Sequence, residues 1–331
     1  MNSARAIILF LVVLLVPAAA ANGVEVRVDW PAAENATEPM PRSAAIDIGF
    51  NKAVHLTALD LLPGALDPER SELLSSYLAP RAGEYVLSYS EEGVVHDPAR
   101  TLVMNVDVNR QALKSTLKRI GVYYTVDEFR NFDLRLSGGA QAYWEELGRL
   151  TTLSGLTVED GSEPRLHLSL TDNATLMGTL SAGDREWTAY SGNLEGLWAD
   201  LWGQWFTLPE AEEGLFQAAV LTVSGWYSPE GVRAFVQKMS GWERELESAV
   251  LTEVEMLPDG IKAKWLVRYR DERALEERLS SYLYDRGLGF EFEDVPVEQE
   301  ELPSELEKFP ADREELPAER EEGEKTNPES T

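Results

Sequence analysis

Few residues in this chain combine type and spacing in a way that could do chemistry. Three tryptophans, Trp198, Trp202 and Trp205, stand at i, i+4 and i+7 within GLWADLWGQWF (196–206). That spacing lines one stripe of a helix. Leu194, Leu197 and Leu201 form an adjoining stripe, and Phe206 extends it. Two readings fit: a helix face that covers a sheet, or a groove for a carbohydrate, a lipid or a protein partner. Large aromatic rings bury roughly 150–250 Å² each and most often anchor a core or an interface. Packing is therefore the first reading and binding the second. SGWYSPEG (224–231) adds Trp226 and Tyr227 at a strand-to-helix turn, where a loop on a rigid scaffold can make contacts. Trp198, Trp202, Trp205, Trp226 and Tyr227 are the candidate binding residues.

Catalytic patterns are harder to find. The three histidines, His55, His96 and His167, have no acid or second histidine at a ligand spacing. The chain has no HExxH, phosphate-binding loop, dinucleotide glycine fingerprint, GxSxG elbow or calcium loop. Acid pairs such as Glu145–Glu146, Glu212–Glu213 and Glu272/Glu276 occur, but an acid-rich chain produces them on solvated helix faces and loops. A catalytic carboxyl needs an apolar pocket to raise its pKa. No catalytic residue, metal ligand set or cofactor is expected. The absence of cysteine removes disulfides, thiolate metal sites and cysteine nucleophiles together.

The net charge is −28 over 331 residues. Such a field repels nucleic-acid phosphates and anionic lipid, so nucleic acid is not an expected partner. Residues 296–331 hold 13 acidic and 4 basic side chains, a net −9, which leaves −19 on the rest. The N-terminus reads as a secretory signal peptide over 1–20. Arg5 precedes the apolar run AIILFLVVLLVP, and Ala18-Ala19-Ala20 offers a cleavage site before Ala21. The run is short for a membrane span, so no stable span is expected after cleavage. The expected location is the periplasm, with a secreted or signal-anchored protein as the alternative.

The elements that must position these residues follow from periodicity. VEVRVDW (24–30) alternates as a strand, and the helix from Ala44 has Ser43 as its cap and Pro63-Gly64 as its stop. A second helix starts at the Asp67 cap. Two strands, a helix capped by Asn109 and closed by Gly121, and a last strand at VYYTV (122–126) complete a first module, 24–126. The stretch from Ile261 to Phe292 repeats this grammar: strand, Asp271 cap, helix, Gly287, aromatic strand. With the strand at 218–226, the helix capped by Ser228 and the strand before Asp259-Gly260, residues 214–295 read β-α-β-β-α-β. That is the split βαβ, or ferredoxin-like, plan. Residues 127–213 form a middle module that ends in the tryptophan helix. The expected class is α+β, with tandem modules of split βαβ type. The tail 296–331 is too poor in large apolar residues to offset ordering entropy and is expected to be disordered.

Over 44–126, the alanine-spaced helix AAIDIGFNKAVHLTAL, then YVLSYSEEGVV and LVMNVDVNRQALKSTLKRIG, resemble the N-terminal module of flagellar assembly protein T and related bacterial periplasmic proteins of unknown function. The resemblance covers under a third of the chain and carries no catalytic residue. It implies an envelope-located structural or assembly role. The function expected first is thus a non-enzymatic periplasmic interaction module whose partners are envelope proteins. A carbohydrate- or lipid-binding protein is second, and a carboxylate-dependent hydrolase third.

Overall fold

The computed structural model describes residues 23–30, 41–96, 100–171, 175–212 and 214–295. The expected signal peptide and the acidic tail lie outside them. The main body of the chain ends at Glu293, and a separate unit begins at Asp294. Helices combine with three sheets, so the class is α+β. Among the described residues, no helix is long and apolar enough to cross a membrane.

The first sheet comes from β1 (Val24–Trp30), β2 (Val86–His96) and β3 (Arg100–Val108), in the antiparallel order β1-β3-β2. Leu102, Met104, Val106 and Val108 point from the central strand into the core, as a period of two requires. Between β1 and β2 run α1 (Arg42–Leu61), α2 (Pro68–Leu78) and the short α3 (Ala82–Tyr85). The fully buried Ala45, Ala53 and Ala58 keep α1 thin on its inner face, so it lies close over β1 and β3. The expected Ser43 cap is corrected. Pro41 occupies the cap with no side-chain bond, and Ser43 sits inside the first turn, where Pro41's fixed φ already starts the helix. Asp67 caps α2 by accepting the Arg70 N–H at 2.9 Å.

Helix α4 (Arg110–Arg119) begins at Asn109, whose side chain accepts the Ala112 N–H. It ends at Gly121 with φ +83, a conformation that costs other residues ~1–2 kcal/mol. A built Cβ there would also meet the Phe206 ring at 2.2 Å. The strand expected at 122–126 is absent. Val122–Tyr124 is one 3-10 turn. Val122, Tyr123 and Tyr124 are all buried, whereas a strand would alternate them between two faces. Tyr124 stacks on Phe206 at 5.3 Å. The repeat between 100–126 and 261–292 thus holds for strand and helix and fails at the closing strand.

The second sheet has the order β5-β4-β6-β7-β8. Its strands are β4 (Arg130–Ser137), β5 (Leu156–Val158), β6 (Arg165–Leu170), β7 (Leu176–Ala182) and β8 (Arg185–Ser191). The first three pair in parallel and the last two antiparallel. Helix α5 (Trp144–Ser154) follows β4, and α6 (Leu194–Phe206) with the short α7 (Pro209–Glu212) closes the unit. One continuous apolar core runs from Val26 through Leu117 and Phe132 to Phe206. Residues 24–126 and 127–213 therefore share a core.

The third sheet has a core of its own around Leu221, Phe235, Trp265 and Leu279. Its elements are β9 (Gln217–Trp226), α8 (Pro229–Met239), β10 (Leu246–Leu257), β11 (Gly260–Tyr269), α9 (Glu272–Leu283) and β12 (Gly289–Asp294). The strand order is β10-β11-β9-β12. Each strand-helix-strand crossover leaves a gap of one strand, filled by a strand of the other crossover. Ser228 and Asp271 cap the two helices, accepting the N–H of Gly231 and Ala274.

Candidate functional site: an open sheet edge

The tryptophan stripe of α6 faces inward. Trp198, Trp202 and Trp205 are 2%, 0% and 9% exposed. Trp198 and Trp202 meet Phe132 of β4 edge-on, at 6.1 and 5.3 Å between ring centres. The Trp198 indole donates to Ser154 Oγ at 2.9 Å. These rings offer no face to solvent, and packing is what they do in this structure. Trp226 is buried as well, whereas Tyr227, the next residue, is 94% exposed. The loop thus presents one of its two aromatics.

The face of the second sheet opposite α6 is polar. Because Phe132 points into the core, Asp133 points the other way, and the segment joining β5 to β6 crosses over it. Glu159 N–H bonds Phe132 O and Asp133 N–H bonds Pro164 O on the two sides of β4. Asp133 is fully buried and accepts from Arg135 and Arg165, each at 3.1 Å. Burial alone would push its carboxyl up. The two guanidiniums and the Gly161 N–H outweigh that and hold it below the ordinary carboxylate range. Four residues along β4, the Ser137 hydroxyl lies 2.8 Å from His167 Nε2. A nucleophilic serine needs its base oriented by a third group. Here the neighbouring carboxylate is held by two arginines, and among the described residues no acid hydrogen-bonds His167. The pair does not extend into a relay.

Of the acid pairs, Glu212 accepts from Tyr124 Oη and Arg268, both at 3.1 Å, which makes it part of an ion pair. His55 lies on α1 against Ser71, and its pKa is lowered by burial. Among the described residues, no three His, Asp or Glu side chains are placed to hold a metal ion. Two clefts of about 410 and 680 Å³ meet at Pro63, Arg270 and Asp271. Their walls carry charges of both signs, including Arg244, Glu245 and Arg278, and lack the apolar lining typical of small-molecule pockets.

Two polar clusters that sequence reasoning did not reach tie the body together. Arg70, 1% exposed, donates to Thr125 O at 2.7 Å, Thr125 Oγ1 at 2.8 Å and Leu153 O at 3.3 Å. Burial pulls its guanidinium below the ordinary value, and nearby Asp67 offsets this only in part. Gly155, with φ +62, ends α5 where a Cβ would strike Thr125 Oγ1 at 2.4 Å. The second cluster centres on Glu247, at the start of β10. It pairs with Lys114 at 3.0 Å and with Lys118, and accepts from Tyr123 Oη at 2.6 Å. Burial works against its charge, but the two lysines and the hydrogen bonds prevail and lower its pKa. Desolvation and Glu247 push the Tyr123 phenol upward.

What remains open is the edge strand β10. It spans twelve residues and, among the described residues, pairs only with β11. Val250, Leu251, Val254, Met256 and Leu257 along it are all exposed, Met256 to 74%. Lone exposed apolar side chains are ordinary, but a run of them on an unpaired edge is a template for strand addition. Of the two acids between these residues, Glu253 pairs with Lys264 at 2.7 Å. Register shifts at Leu246/Ser248 and Leu251/Glu253 bend the strand. Comparison of the chain with known protein families, curated proteins and solved structures finds no match in any of the three.

Proposed function

We propose that this chain is a non-enzymatic periplasmic protein, exported by the signal peptide at 1–20, that acts as an interaction or assembly module of the bacterial envelope. In this reading residues 214–295 are a ferredoxin-like unit, in keeping with the strand order β10-β11-β9-β12. The envelope role follows the resemblance of residues 44–126 to the flagellar assembly protein T module. The observation that carries the proposal is the exposed apolar edge of β10. Strand addition at such an edge supplies backbone hydrogen bonds for affinity and alternate side chains for specificity.

The test has two parts. N-terminal sequencing of the protein recovered from the periplasmic fraction is expected to begin at Ala21. A photo-crosslinking residue placed at Met256 in the living bacterium is expected to trap a defined set of envelope proteins, a second copy of this chain counting among them. The same probe at Tyr227 is expected not to trap that set. Cytoplasmic retention, or identical products from both probes, would sink the proposal.

A further inference from the structure

We infer that the β10 edge is the pairing site for a second copy of this chain, two β10 strands joining antiparallel across a twofold axis between Thr252 and Glu253. This names the partner for the edge on which the proposed function rests. The argument begins with the turn at Pro258-Asp259. Leu257 and Gly260 close it as partners, and a two-residue turn closes on a hydrogen-bonded pair. Hydrogen-bonded and non-bonded pairs then alternate along the ladder. Met256 opposite Ile261, Val254 opposite Ala263, Leu251 opposite Trp265 and Ala249 opposite Val267 are the non-bonded pairs. Their N–H and C=O groups therefore point to the open edge. Between Leu251 and Val254 stand two residues, not one, because the register shifts there.

An incoming strand must match that irregularity or lose its ladder at the bulge. A second β10, run antiparallel, matches it in one register. Leu251 then faces Val254 of the other copy, and Ala249 faces Met256, so every edge-bonding position meets an apolar one. The two bulges face each other across the axis and neither interrupts the new ladder. On the opposite side of the sheet, Glu253 falls beside Thr252 of the other copy, Glu255 beside Val250, and Leu257 beside Ser248. No glutamate faces a glutamate directly. The two Glu253 side chains come closest diagonally, and the Lys264 ammonium 2.7 Å from each tempers their repulsion without removing it. The cross-strand pairs bury the apolar row that the single chain leaves in water. The product is one eight-stranded sheet with closed twofold symmetry, which explains how so apolar an edge avoids open-ended association.

Sedimentation equilibrium of the mature full-length chain is expected to give a reversible monomer–dimer equilibrium. Met256→Pro removes an edge-directed N–H and leaves the β10–β11 ladder intact. It is expected to weaken the dimer at least ten-fold while far-UV circular dichroism stays unchanged. Val254→Lys is a second variant with the same expected effect should the proline disturb the turn. Glu253→Gln relieves the diagonal repulsion and is expected to tighten the dimer. Hydrogen exchange is expected to show concentration-dependent protection at Ala249, Leu251, Val254 and Met256, and none at Val250 or Glu255. A chain that stays monomeric, or a dimer indifferent to both Met256→Pro and Val254→Lys, overturns the inference. So does an edge that binds a lysine–valine alternating peptide, with Glu253→Gln weakening that binding, because the occupant is then a basic strand. A monomer that still traps envelope proteins from Met256 overturns the second copy alone and leaves the proposed function standing.

Discussion

Glu247→Gln tests what holds the third sheet to the rest of the body. The substitution keeps the shape and one acceptor for Tyr123 but removes the charge that neutralises Lys114 and Lys118. The Glu247 side chain is 10% exposed, and the lysines 16% and 27%. Breaking a buried ion pair by removing one partner costs about 3–5 kcal/mol. Because both ammonium groups retain some water, the lower end applies, about 3 kcal/mol. At about 2–4 °C per kcal/mol for a large domain, thermal melting should fall by several degrees. The pH dependence has a definite sign. The folded pKa of Glu247 is depressed, so its contribution is complete above the unfolded value of about 4.3 and is lost as pH falls through the folded value. The wild type should therefore lose stability in that acid window, and Glu247→Gln should lose less there. Urea denaturation from pH 7 down to pH 3 reads both effects. Adding Lys114→Met and Lys118→Met to Glu247→Gln should restore part of the loss, since no orphaned charge remains. A loss below about 0.5 kcal/mol, or a triple variant weaker than the single, would refute the reasoning.

Further outcomes follow from burial and hydrogen bonding. Arg70→Met strands the Thr125 and Leu153 carbonyls between α2 and α5, and chemical denaturation should show a loss of about 2–4 kcal/mol; an unchanged midpoint would mean water replaces the guanidinium. Trp202→Ala empties the centre of the shared core and should cost about 3–5 kcal/mol, with wild-type tryptophan emission blue-shifted and indifferent to added sugars. Tyr227→Ala, at a ring 94% exposed, should change the melting temperature by no more than about two degrees, within the roughly ±0.5 kcal/mol of surface substitutions.

The features legible in the sequence are those decided within a few residues. Asp67, Asn109, Ser228 and Asp271 each cap a helix through an N–H three residues on, so the helix starts could be read directly. The α6 tryptophans declared one stripe by their spacing, but not which side of the stripe met water. That depended on Phe132, some seventy residues earlier, presenting a ring for them to pack on. The VYYTV segment misled because aromatic and β-branched residues favour strands locally. Its two adjacent tyrosines instead fill separate contacts, with Phe216 and Phe206.

The sequence by itself determined the α+β class, the helix caps at Asp67, Asn109, Ser228 and Asp271, the acidity and the lack of cysteine chemistry, because propensity, periodicity and composition act locally. Tertiary structure alone decided that two of the three expected units share a core, and that Arg70 and Glu247 become buried hubs. It also decided that β10 is left as an edge. Those outcomes join residues 55 to 129 positions apart. A charge or a strand acquires its partners, or lacks them, only when the chain brings distant elements together.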